Sequence, residues 1–224
     1  MKETPAFRRI GEVRFPEPTG IDINMMPIKL GDRSTWTDAC HRYEALLTRC
    51  DFAPDEVCYV SIHEAQLKPG ESLRRPGIHT EATPFGAWGG AAWDGRGLYQ
   101  ASTDGRCRVW DELVYEVSIY GSVVQEPEGP GVIMEPGVLF WMTDRTPHES
   151  LPVEVEGWRQ WFRLVSPEIV IWWVQHSTPN PTGLVPPDSV TLVEESKFAD
   201  AIRENPDATI CADYDIDPTS WHKS

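Results

Sequence analysis

Three short strings carry residues whose types and spacing could do chemistry: "GIHTE" with His79 and Glu81, "DRTPHES" with His148, and "WRQWFRLV" with Arg159 and Arg163. Two imidazoles and one carboxylate can cover one face of an octahedral Fe(II) ion, leaving three positions for a chelating co-substrate and oxygen. Residues two apart in an extended strand point the same way, so His79 and Glu81 could reach one ion, and a neighbouring strand would have to bring His148. Arg159 follows His148 by eleven positions and Arg163 comes four later. A planar, permanently charged guanidinium suits the far carboxylate of a keto acid. Arg159, Trp161 and Arg163 alternate onto one face of their string, with Gln160, Phe162 and Leu164 on the other. Two arginines are costly to bury unpaired, so this face predicts anions inside.

Each residue also has a plainer reading. With 35 acids in 224 residues, one of six histidines would have an acid two positions later roughly 60% of the time by chance, so the HxE spacing needs the downstream His and Arg beside it. His79 and Glu81 could be an exposed polar pair near a bend, His148 a turn histidine bonded to a carbonyl, and Arg159 a structural ion-pair partner. His63 beside Glu64 reads as a single core or surface histidine, and His176 as a cap or turn residue at the start of a Pro-rich loop. His41 and His222 receive no role. Arg74 and Arg75 could hold a substrate carboxylate or be surface charges. Trp88, Trp93 and Trp110, in or just after a loop, could form an aromatic lid or plug the core, and Trp161 and Trp88 join the two arginines as candidates for substrate contact.

The elements that must position these residues are mostly strands. The runs 57–67, 113–121, 131–143, 158–165 and 169–176 are rich in β-branched and aromatic residues and are separated by Gly and Pro clusters. Short strands that do not alternate with helices argue for an all-β barrel or sandwich. The Gly- and Ala-rich stretch 82–108 reads as a long loop. Helical spacing of Trp36, Ala39, Cys40, Tyr43, Leu46 and Leu47 predicts a helix over about 35–49, with Ser34 or Thr35 as N-cap and Thr35 and Asp38 at capping-box spacing. A second helical segment is expected at about 193–204, ending at Asn205-Pro206. The string "TDGRCRVWD" looks like the end of a WD-repeat blade but has no second copy, which argues against a propeller.

Thirty-five acidic against 20 basic residues give a net charge of −15, which disfavours nucleic acid and anionic membranes as partners. No run of 18 apolar residues and no signal-peptide core is visible, so a cytoplasmic protein is expected. Five scattered cysteines without a CxxC pair suggest neither a disulfide framework nor a zinc knuckle. One domain over 1–224, with its core at about 57–176, fits this length.

His79-x-Glu81, then His148, then Arg159 resembles the HxD/E…H…R signature of the Fe(II)/2-oxoglutarate-dependent oxygenases. The string "PGVLFWMTDRTPHESLP" is similar to the distal-His strand of the phytanoyl-CoA hydroxylase-like and taurine-dioxygenase-like branches. The resemblance spans roughly 57–176 and implies a double-stranded β-helix (jelly-roll) barrel with flanking N-terminal and C-terminal helices. It implies His79, Glu81 and His148 as iron ligands and Arg159, or Arg163 in second place, as the anchor for 2-oxoglutarate. It also implies O2-dependent oxidation of a small-molecule substrate, most simply hydroxylation, with 2-oxoglutarate converted to succinate and CO2. With Glu81 in the carboxylate position, halogenation by the family's usual route is disfavoured. Two rivals stand beside this reading: a cupin-like dioxygenase or isomerase that uses the metal without 2-oxoglutarate, and a non-enzymatic jelly-roll binding module.

Overall fold

The computed structural model describes residues 5–82, 96–118 and 121–194. Its strands are β1 (Phe7–Glu12), β2 (Asp22–Lys29), β3 (Val57–Leu67), β4 (Leu98–Ser102), β5 (Cys107–Val109), β6 (Val132–Ile133), β7 (Val138–Met142), β8 (His148–Ser150), β9 (Gly157–Val165), β10 (Ile171–Trp173) and β11 (Thr191–Val193). Six form one sheet in the order β1-β7-β4-β9-β3-β2, antiparallel throughout. Three more form a smaller sheet, β6-β5-β8, and β10 pairs with β11 in parallel. No helix among the described residues is long and apolar enough to cross a membrane.

Alternation along the strands of the large sheet divides its side chains into two buried clusters. On one face Val60, Ile62, Leu139, Trp141, Phe162 and Leu164 meet the helical segment through Trp36, Cys40, Tyr43, Leu46 and Leu47. On the other, Tyr59, Leu98, Val138, Phe140, Met142 and Val165 meet Cys107 and Val109 of the small sheet and Met134 beside it. Each large apolar side chain so enclosed contributes about 2 kcal/mol of transfer free energy. The periodicity of 57–67 and 158–165 is realised in β3 and β9, which are paired along their length.

Other expectations are corrected. The helix expected over 35–49 is a 3₁₀ turn (Arg33–Thr35) followed by α1 (Asp38–Arg42) and α2 (Glu44–Leu47). Its cap is Thr37, whose hydroxyl accepts the Cys40 N–H at 3.4 Å, while Asp32 caps the 3₁₀ turn. The break falls at Tyr43 (φ −94°, ψ 16°), whose hydroxyl donates to the buried Glu64 carboxylate across the core. In 113–121 the described residues form only a bridge between Val117 and Val123, and Tyr115 is 59% exposed with the Arg145 guanidinium over its ring. The run 131–143 is divided at Pro136-Gly137 between the two sheets, and 169–176 ends in a 3₁₀ turn from Val174. The supposed loop 82–108 contains β4 and the start of β5. Strand β4 is buried in all five residues, and its short sequence LYQAS has too little periodicity to announce it. Trp88, Trp93 and the helical segment beyond 194 lie outside the described residues, and Val193 itself ends β11.

On the helix-covered face sits a buried polar knot. Glu64 Oε2 accepts the backbone N–H groups of Thr19, Gly20 and Ile21 at 2.6, 2.8 and 3.0 Å. Its Oε1 accepts from Tyr43 Oη at 2.7 Å and Gln160 Nε2 at 3.0 Å. Burial alone would raise this carboxyl's pKa, but the donors from Ile21, Thr19, Tyr43 and Gln160 outweigh it and hold it below the usual value. A depressed folded pKa gives stability that is complete above the unfolded value of about 4.3 and lost as pH falls through the folded one. Glu64→Gln is therefore expected to cost about 2 kcal/mol at pH 7 and to flatten the acid limb of stability below about pH 4, as denaturant melts against pH would show.

Candidate functional site

The segment carrying His79 runs beside β8 and joins it through an antiparallel bridge. The His79 N–H donates to the His148 carbonyl at 3.0 Å and the His148 N–H returns to the His79 carbonyl at 2.9 Å. Across its other edge Thr80 N–H donates to Gly121 O at 2.8 Å and Val123 N–H to Ile78 O at 3.3 Å. An antiparallel pair of this kind sets both side chains on one face, and the two imidazoles lie 4.5 Å apart between centroids at 55°. Gly121 holds this edge at φ +83°, where an added Cβ would come within 2.5 Å of the Thr80 carbonyl.

The same device aims both rings. His79 Nδ1 lies 2.8 Å from Gly77 O and His148 Nδ1 3.0 Å from Thr146 O, each a carbonyl two residues back. A carbonyl only accepts, so each Nδ1 carries a proton and the Nε2 of a neutral ring keeps the lone pair a metal would take. Burial lowers the His148 pKa; Glu81 and the Thr146 carbonyl pull it up, and Arg163 and Arg75 push it down. The neutral ring prevails at pH 7. Glu81 is 9% exposed and its Oε1 lies 3.8 Å from His148 Nε2. That same oxygen accepts a hydrogen bond from Arg163 Nη1. Among the described residues no three His, Cys, Asp or Glu side chains stand in a metal-holding cluster. The donor types and ring orientations suit a metal, while the carboxylate is engaged by a guanidinium.

Strand β9 supplies the opposite wall. Arg159, Trp161 and Arg163 line a cavity of about 60 Å³ together with His79, Glu81, His148, Arg74 and Arg75. Arg163 and Arg74 sit 5.1 and 4.6 Å from the Trp161 ring, within cation–π range. The expectation of anions inside is met by the protein's own carboxylates: Glu81 on Arg163, and Asp104 on Arg159 Nε at 2.8 Å. Arg159, 1% exposed, also donates to Ser150 Oγ (3.2 Å), Leu151 O (3.3 Å) and Arg106 O (2.9 Å). Its donors knit the turn between β4 and β5 to the end of β8. Arg163 donates to Glu81 and, at 3.4 Å, to Ser61 Oγ.

Arg74 and Arg75 prove to be cavity residues, the second 8% exposed. Arg74 Nη1 lies 2.9 Å from His63 Nε2, and His63 Nδ1 lies 2.5 Å from Asp22 Oδ1. An arginine only donates, so Nε2 accepts and His63 is neutral. Burial, then Arg74, depresses its pKa to about 4 against the pull of Asp22. His63 is thus a structural link behind the cavity, whereas His176, at the end of the turn after β10, lines it. Asn24 and Gln100 also line the cavity and were not singled out from the sequence. Asn24 sits in a bulge of β2 where Met25 takes φ 49°, a local break in pairing that leaves no mark in the hydrophobic pattern. Trp110 is buried, with its indole N–H on Gly129 O at 3.0 Å, and belongs to the core.

No family model matches the chain, and no curated protein matches it.

Two outcomes follow from these contacts. Arg159→Ala is expected to cost about 3 kcal/mol, a drop in Tm of roughly 8 °C, because it removes a buried side chain together with its bonds to Asp104, Ser150 and the Leu151 and Arg106 carbonyls, whereas a pure co-substrate anchor would leave the melt unchanged. His63, with its folded pKa depressed, contributes stability that is full above about pH 6.5 and is lost as pH falls through about 4. His63→Asn is expected to remove that part of the slope in denaturant melts between those limits.

Proposed function

We propose that this chain is an Fe(II)- and 2-oxoglutarate-dependent oxygenase with a jelly-roll core, oxidising a small molecule, most simply by hydroxylation. The observation that carries the reading is the backbone-locked pair of His79 and His148, with both Nδ1 atoms pinned and Glu81 beside them on the wall of an arginine-lined cavity. A large antiparallel sheet packed against a smaller one supports the jelly-roll assignment. His79, His148 and Glu81 would hold the iron, which when bound with the keto acid supplies the oxidising chemistry toward O2 and substrate.

The chain's own residues do the rest. The carbonyls of Gly77 and Thr146 fix which nitrogen each imidazole presents. Arg163, rather than Arg159, is the better holder for the keto acid's far carboxylate, since Arg159 already serves Asp104 and two backbone carbonyls. Arg74, Arg75 and Trp161 form the wall on which a substrate would be oriented, and the buried setting limits water around reactive groups. Four free, buried cysteines among the described residues suit a reducing compartment such as the cytoplasm.

A second reading has one observation in its favour. The ion pair of Arg163 with Glu81 is what a binding module without metal would use to join its two walls. Elemental analysis with a 2-oxoglutarate turnover assay separates the possibilities: the module holds no iron, and a cupin-like enzyme holds metal but is indifferent to the keto acid. For the oxygenase, His79→Ala and His148→Ala are each expected to weaken iron binding by about a hundredfold or more and abolish succinate formation. Iron retention with unchanged succinate in both variants would sink the assignment.

A further inference from the structure

We propose that Arg163 is a placeholder for the metal: it occupies the Glu81 carboxylate in the metal-free protein, and an anion entering the cavity draws it away, so that metal and anion bind cooperatively. This inference rests on the metal reading above and concerns how that site is loaded. Three observations carry it. Arg163 Nη1 bonds the same Glu81 oxygen that lies 3.8 Å from His148 Nε2, so the guanidinium and a metal compete for one atom. The imidazoles are ready before any ion arrives, since their Nδ1 atoms are bonded to Gly77 O and Thr146 O and their strands to each other. The carboxylate is thus the member of the set that has to change partner.

The third observation is the contrast with Arg159. That side chain is bonded to Asp104, Ser150, Leu151 and Arg106, and moving it would break all four contacts. Arg163 is instead bonded to a candidate metal ligand itself, Glu81, and also reaches Ser61 at 3.4 Å, with its guanidinium carbon 5.1 Å from the Trp161 ring. A carboxylate-bearing anion in the cavity offers Arg163 a charge-assisted bond of the kind Nη1 makes to Glu81 Oε1, and a guanidinium can take such a carboxylate bidentately. The exchange keeps charge matched at each stage: guanidinium on Glu81 without metal, guanidinium on the anion with metal on Glu81. By linkage, an anion that favours the released arginine must tighten metal binding, and metal must tighten anion binding by the same factor.

The test measures binding of Mn(II), a redox-stable divalent probe, to the full chain with and without glutarate, a dicarboxylate lacking the keto group. For the unaltered protein, glutarate is expected to tighten Mn(II) binding by about tenfold, within the usual range of coupling. Arg163→Gln is expected to bind Mn(II) alone more tightly than the unaltered protein and to gain nothing from glutarate. Arg75→Gln removes a charge from the same wall without touching the Glu81 bond under test, and a gain equal to that of Arg163→Gln would mean general repulsion and overturn the proposal. An unaltered protein whose Mn(II) affinity ignores glutarate, or an Arg163→Gln variant that binds Mn(II) no better, would overturn it too. The first of these arms needs no variant, so misfolding of Arg163→Gln leaves the idea exposed to refutation. His79→Ala separates the two levels: if it binds Mn(II) as the unaltered protein does, the metal reading itself fails, and if it loses Mn(II) while Arg163→Gln shows no gain, only the placeholder fails.

Discussion

Two guanidinium groups buried on one inner strand of a sheet impose the constraint around which this protein is arranged. Strand β9 is paired on both sides, with β4 and β3, so Arg159 and Arg163 cannot reach solvent by bending an edge. Removing a guanidinium from water costs several kcal/mol unless a carboxylate and further acceptors meet it. Asp104, on the turn after β4, meets Arg159, and Glu81, on the segment beside β8, meets Arg163. Each pair ties β9 to a different part of the chain. The cavity between the sheets is therefore polar because of the strand that underlies it.

Register makes room for this. Opposite Arg159 on β3 stands Ala65, and opposite Arg163 stands Ser61, so each long side chain has a small neighbour. His63 faces Trp161 in the same ladder, and their rings lie 5.6 Å apart. One residue out of phase, Glu64 lies opposite Gln160 on the helix-covered face, where both join the knot around Tyr43. The sheet thus carries polar groups on both faces, each matched across the same pair of strands. A slip of one residue would turn Arg159 and Arg163 into the apolar cluster and leave the carboxylates without them, which makes the polar residues as strong a determinant of register as the apolar ones.

What could be read in the sequence follows from this geometry. Strands β3 and β9 were legible because they are long and carry a clear period of two, and the facing of Arg159, Trp161 and Arg163 came with them. The proximity of His79 to His148 was foreseen only as a requirement for a neighbouring strand. The partners of the arginines were not legible: Asp104 is one of 35 acids and lies 55 positions before Arg159, and nothing local marks it. Nothing local marks the role of Glu64, because its backbone donors at 19–21 belong to an irregular segment without periodicity. The apolar residues place the helical segment, but nothing local marks its break at Tyr43 or the bond of that residue's hydroxyl to Glu64 across the core. Local pattern reports which face is buried; long-range polar pairing leaves no period to detect.

The candidate ligands differ in what holds them, and that difference has a consequence for any chemistry at the site. His79 and His148 are fixed by reciprocal backbone bonds and by a carbonyl on each Nδ1, so their separation is a property of the sheet. Glu81 lies on a bend two residues further on, and its carboxylate is bonded to Arg163. The Glu81 oxygen nearest His148 is the one Arg163 bonds, so this carboxylate is where the histidine wall meets the β9 wall, while Arg159 is held by Ser150 and two backbone carbonyls. The two arginines that look alike in the string "WRQWFRLV" are therefore unlike in kind. Both line the cavity, but Arg159 is held by Asp104 and backbone carbonyls, and Arg163 by Glu81.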